Sequence, residues 1–242
     1  MTISTGFRKY FDHSKSLVYS YLISLPLLIL YEMLIIITQP EPGSVIRISV
    51  DVWIKQLFHL VGYNTLSITL LLAAIIGLLI FWRDRKHRQH IYPHYFLMML
   101  LEAVMYALLL SILISSFLSN TLQLVGPPSI EELPMLQQIA LSLGAGLYEE
   151  LFFRVFLIYV LIKVFQFIFN KNWQSNIAAV LVGALIFSMA HYTGTLGDPF
   201  TVNSFLFRFL FGLALNIIYI LRGFGLAAWT HAIYDIMVVS FL

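Results

Sequence analysis

Tyr148-Glu149-Glu150-Leu151-Phe152-Phe153-Arg154 sets two adjacent carboxylates and an arginine inside a segment, Met135 to Phe169, whose one other charge is Lys163. Ionised side chains at membrane depth cost at least ~2.5 kcal/mol each on insertion scales. They therefore face a bundle interior, pair with one another or do chemistry. What the chain does depends on which other polar groups can reach these three.

The surroundings set the fold class. Of 242 residues, 60% are hydrophobic and 11% charged, with a mean hydropathy of +0.88; a soluble domain carries about 25% charged residues. The expectation is an all-α, polytopic transmembrane helix bundle forming a single membrane domain over residues 1–242, in contact with the lipid bilayer. A formal net charge of +2 is too small to point to nucleic acid. The absence of cysteine excludes disulfides, thiolate metal sites and a cysteine nucleophile.

Working outward, Met1 to Lys15 is polar and basic, and the first span is expected at Ser16–Thr38, with Pro26 and Glu32, too long to read as a cleaved signal. A loop from Gln39 to Asn64 carries Arg47, Asp51 and Lys55, and its stretch Val50–Gly62, with Trp53 and Phe58, suits a short interfacial helix. Spans at Thr65–Trp82 and Tyr95–Phe117 (the latter with Glu102) flank the basic cluster Arg83-Asp84-Arg85-Lys86-His87-Arg88. A loop with Pro127, Pro128, Glu131 and Glu132 follows. The positive-inside rule places the N-terminus and the basic cluster in the cytoplasm and the acidic loop outside.

Met135–Phe169, at about 35 residues, exceeds an ordinary span of about 20. Gly144-Ala145-Gly146 allows a break there, since glycine is a weak helix former; the segment is either one tilted helix or a short piece followed by a full span. Further spans at Ile177–Tyr192, Phe205–Leu221 and Leu226–Leu242 bring the total to seven or eight. Lys171 and Arg222 are cytoplasmic in the seven-span arrangement and external in the eight-span one. Residues 1–134 then supply N-terminal spans and loops, and 135–242 a core with a polar cavity among its helices.

On a helix Glu149 and Glu150 point about 100° apart and cannot do the same job. Glu150 and Arg154, at i and i+4, can pair. Glu149 is left beside Phe153, the setting of a general base working near neutral pH. The plainer alternative is a buried ion pair that fixes packing, with Glu149 satisfied by a hydroxyl. Counted from a hairpin tip near Asn170, Glu149 and His191 lie equally far along two antiparallel arms. His231 and Asp235 form another i, i+4 pair, in which the carboxylate fixes the ring's orientation. His231 lies only about 8 residues from a tip near Gly223 against about 21 for His191, so the Val160–Asn176 hairpin has to protrude. Glu32, Glu102, Arg208 and Asn216 are read as packing or interfacial residues.

A divalent metal could be held by these carboxylates and histidines, but no close-spaced zinc signature occurs. The metal-free, cofactor-free version is preferred: Glu149 and His191 activate a water while His231 and Asp235 hold the oxyanion of a tetrahedral intermediate. Asp235 would either donate when protonated or orient His231 when ionised.

Glu149-Glu150-x-x-x-Arg154, Phe187-x-x-x-His191 and His231-x-x-x-Asp235, in this order on late membrane helices, resemble the CPBP family of CAAX prenyl proteases and bacteriocin-processing enzymes, also called the Abi family. The resemblance covers Met135 to Leu242. It implies a glutamate-type intramembrane endopeptidase with Glu149 as base, His191 as its partner and His231 and Asp235 as oxyanion support. The family has asparagine or aspartate at the last position. It implies a membrane-associated peptide or protein as substrate, and a chain this short resembles the bacterial-type branch, hence an expected place in a bacterial cytoplasmic membrane. The competing readings are a non-catalytic immunity factor or scaffold that binds a peptide in the same cavity, and a small transporter, against which the lack of a repeat counts.

Overall fold

Apolar sequence in lipid leaves backbone N–H and C=O groups no water to bond, so they are satisfied within helices. The computed structural model describes residues 3–39, 46–47, 50–52, 55–56, 65–85, 90–117, 133–193 and 197–241, and no strand occurs among them. The elements are α1 (Ile3–Ser14), α2 (Leu17–Thr38), α3 (Thr65–Asp84), α4 (Pro93–Phe117), α5 (Met135–Ile168), α6 (Asn172–Ala190), α7 (Val202–Arg222) and α8 (Phe224–Phe241). Local chemistry sets their ends. The Ser16 hydroxyl accepts the Tyr19 N–H at the start of α2, and Thr201 accepts the Ser204 N–H at the start of α7. Pro93 opens α4, where its missing N–H is no loss. Gly223, at φ +89°, ends α7 and turns the chain straight into α8.

Among the described residues, five helices are long and apolar enough to cross a membrane: α2, α4, α5, α6 and α7. α3 and the shorter α8 are also apolar. Contacts at the helix ends show that these seven alternate in direction. Lys9 of α1 reaches the Tyr92 hydroxyl just before α4, and Arg222 at the end of α7 donates to Ser14 and to the Phe11 carbonyl of α1. The start of α2 and the end of α3 share a small cavity lined by Leu17, Val18, Ile80, Arg83 and Asp84. One end of the bundle, the α1 end, thus gathers the start of α2, the end of α3, the start of α4 and the α7–α8 turn. α6 and α7 are antiparallel, Asn216 donating to the Val180 carbonyl at 2.9 Å, so Lys171 also belongs to the α1 end.

Two expectations change, and one open alternative is decided. The first fifteen residues were expected only as a polar, basic stretch; they hold α1, whose buried edge, Tyr10 and Ser14, packs under the bundle. α6 begins five residues before the expected Ile177 and ends at Ala190, which leaves His191 at its C-terminal cap. Of the two alternatives for Met135–Phe169, the structure has the single helix without a break at Gly144–Gly146. α5 is continuous, with helical angles at Gly144, Glu150 and Ile158, and its middle winds as π-helix over Ala145–Glu149 and Leu151–Ile158. Gly146 serves packing instead: a Cβ there would lie 2.5 Å from the Ala228 carbonyl oxygen and 2.6 Å from the Ala232 Cβ, so its absence brings α5 against α8. The last ten residues of α5 bury no side chain and lean on α6. Trp53, Phe58, Lys86–Arg88, Pro127, Pro128, Glu131 and Glu132 lie outside the described residues.

Gly146→Ala must push α5 off the α8 backbone and should destabilise the protein by about 1–3 kcal/mol, roughly 2–10 °C in detergent melting. Gly6→Ala in α1, where a Cβ meets nothing within 4 Å, should leave the melting temperature unchanged or raise it slightly.

Candidate active site

The middle of α5 presents Glu149 and Glu150 to different partners. Glu150 is fully buried, and its Oε1 lies 2.7 Å from Arg154 Nη1 and 2.7 Å from His231 Nδ1. Arg154 is fully buried as well, and its guanidinium sits over the Phe187 ring, 4.3 Å from its centre, a distance favourable for a cation on an aromatic face. One carboxylate oxygen and one aromatic face thus meet a charge that would otherwise be intolerable at this depth.

Phe187 is the hub of the site. Its ring meets those of Phe153, His191 and His231 edge to face, at centroid distances of 5.1, 4.8 and 6.2 Å. Gly212 of α7 leaves it room, since a Cβ there would lie 2.6 Å from the ring. The Phe187 carbonyl also fixes the next histidine. It can only accept, so at 2.8 Å from His191 Nδ1 it places the proton on that nitrogen. His191 Nε2 is therefore the lone-pair nitrogen of the neutral ring, and it lies 3.8 Å from Glu149 Oε2. That is too long for a direct hydrogen bond and is a separation at which a water can bridge. Glu149 Oε2 is buried and has no hydrogen-bond partner. On α8, His231 Nε2 lies 3.4 Å from Asp235 Oδ2, and the Asp235 side chain is 30% exposed.

Of the residues singled out from sequence, the structure brings Glu149 to His191 and His231 to Asp235. It joins the two pairs through Glu150, and it keeps the Glu150–Arg154 pair at i, i+4. The Glu150–His231 contact was missed. The signal for it was chemical: a buried imidazole has two nitrogens to satisfy, and Asp235 reaches only one. Also missed was the Tyr148 hydroxyl, 3.4 Å from Glu32 Oε1, which ties the site to a buried cluster of Glu32, Arg47, Asp51, Lys55 and Tyr31. The remaining polar candidates have partners of their own, Glu102 with Arg222 and Arg208 with Asp198. Among the described residues no group of three or more His, Asp or Glu is arranged to hold a metal ion.

Removing Glu150 strands Arg154. Glu150→Ala should destabilise the protein by about 3–5 kcal/mol, and the double variant Glu150→Ala/Arg154→Met should lose clearly less than the sum of its parts in a melting cycle. Additive losses would show that the pair is not the unit drawn here.

A family model described as Type II CAAX prenyl endopeptidase Rce1-like matches residues 131–237. Comparisons with curated proteins and with solved structures each gave no match. The matched stretch holds Glu149, Glu150, Arg154, Phe187, His191, His231 and Asp235, and it ends with α8 almost complete. These residues are gathered at one place in a helical membrane bundle, within the stretch, residues 131–237, that is similar to the Rce1-like Type II CAAX prenyl endopeptidases.

Proposed function

We propose that the protein is an intramembrane endopeptidase that hydrolyses a peptide bond of a membrane-associated peptide or protein through a water activated by Glu149. The observation that carries this reading is the facing of two acceptors, the unpartnered Glu149 Oε2 and the lone-pair Nε2 of His191, at 3.8 Å. A water between them donates a hydrogen to each and turns its own lone pair outward. As that oxygen attacks the scissile carbonyl carbon, Glu149 takes its proton, the carbonyl π pair moves onto oxygen, and a tetrahedral oxyanion forms. Glu149 then returns the proton to the amide nitrogen as the C–N bond breaks. His231, with carboxylates facing both ring nitrogens, is suited to carry positive charge toward the oxyanion. In this scheme Asp235 is ionised and orients the ring. Glu150 and Arg154 position His231 and Phe187 and take no part in the proton transfer. No step calls for a metal ion.

The test uses purified protein in detergent with quenched fluorescent peptides that end in a farnesylated or an unmodified cysteine motif. Glu149→Gln and His191→Ala should each lower kcat by about 10²–10⁴-fold with near-unchanged melting, and strong chelators should leave the wild-type rate intact. An unchanged rate in Glu149→Gln would overturn the mechanism. A phenotype in cells that survives both substitutions would point instead to a non-catalytic binding or immunity role. The ratio of rates on the two peptides reports whether a prenyl group is recognised.

A further inference from the structure

The ends of the helices determine how solvent and substrate reach Glu149. α6 stops at Ala190, at the level where His191 meets Glu149. α5, α7 and α8 run past that level toward the end of the bundle opposite α1, where α5 begins at Met135, α7 begins at Val202 and α8 finishes at Phe241. Beyond the end of α6 lies a polar rim. The Asp198 N–H bonds the His191 carbonyl at 2.9 Å, the Asp198 side chain pairs with Arg208, and Ser204 bonds both Arg208 and the Tyr192 hydroxyl. Exposure follows the same direction. The side chains of Asp235 and His191 are 30% and 25% exposed, whereas toward α1 the residues Glu150, Arg154, Ile158, Leu226 and Ala227 are sealed.

The two ends also differ in charge. The α1 end carries Arg8, Lys9, Lys15, Arg83, Arg85, Lys171 and Arg222. At the opposite end the described cations are Arg47, Lys55 and Arg208, each held by a carboxylate. Lysine and arginine bias of this kind sets orientation, with the basic end cytoplasmic.

We infer that the site opens to the non-cytoplasmic face, so that its substrates are peptide segments exposed on that face and not cytoplasmic C-terminal tails. This rests on the peptidase reading for the word substrate, but the sidedness itself does not. The chain has no cysteine, so a single introduced thiol reports alone. In intact cells a membrane-impermeant maleimide should label Thr193→Cys, on the rim, and should label Asp12→Cys, in α1, only after permeabilisation. The reverse pattern would overturn the orientation. In detergent, a bulky maleimide on Thr193→Cys should slow cleavage of the peptides above at least tenfold and one on Asp12→Cys should not. Inhibition from Asp12 alone, or equal rates after either modification, would overturn the route of access. If no form of the protein cleaves any peptide, the peptidase reading fails while the labelling still reports the side on which the rim lies.

Discussion

A guanidinium with no exposed surface in the middle of a membrane bundle constrains everything around it. Arg154 is in that position, and the effective penalty for burying such an ion is several kcal/mol unless partners meet it. Glu150, one turn earlier, supplies the charge, and Phe187 supplies the face. Each partner has a second obligation. Glu150 also takes the His231 N–H from α8, and Phe187 also orients His191 through its carbonyl at the end of α6. Pairing one buried cation with a carboxylate and a ring therefore ties three helices together, and it sets both histidines facing inward.

Two neighbouring carboxylates consequently have opposite environments. Glu150 is sealed and shared between a guanidinium and an imidazole. Glu149, one residue earlier on the π-helical turn, faces an acceptor nitrogen and has one oxygen with no partner. π-Helical turns inside α-helices occur frequently at functional sites, and here two of them flank Glu150. Gly146 lets that stretch of α5 lie directly on the α8 backbone, which keeps His231 within reach of Glu150.

Much of this could be read in the sequence because the decisive spacings are local. Hydrophobic composition dictated a helical membrane bundle, i, i+4 spacing paired Glu150 with Arg154 and His231 with Asp235, and equal arm lengths matched Glu149 to His191. What escaped was long-range or conditional. Glycine at 144 and 146 permits a break, but whether it breaks a helix or admits a neighbour depends on α8, whose position no local pattern gives. The Glu150–His231 bond spans two helices far apart in sequence; depth counting brought them to one level only through a protruding Val160–Asn176 hairpin and named no partner for the second ring nitrogen. The link from Tyr148 to Glu32 joins parts of the chain with no common motif. The helix α1 went unread because its inward edge, Tyr10 and Ser14, is recognisable only once Glu102 and Arg222 are seen waiting above it.

In the proposed mechanism Glu149 and His191 act as one device on one water. Groups that act as a unit in catalysis are strongly non-additive when removed together. The direct measurement is kcat for Glu149→Gln, His191→Ala and the double variant on one cleaved peptide. A double variant no slower than the worse single variant is the predicted result; losses that multiply across the two sites would contradict it.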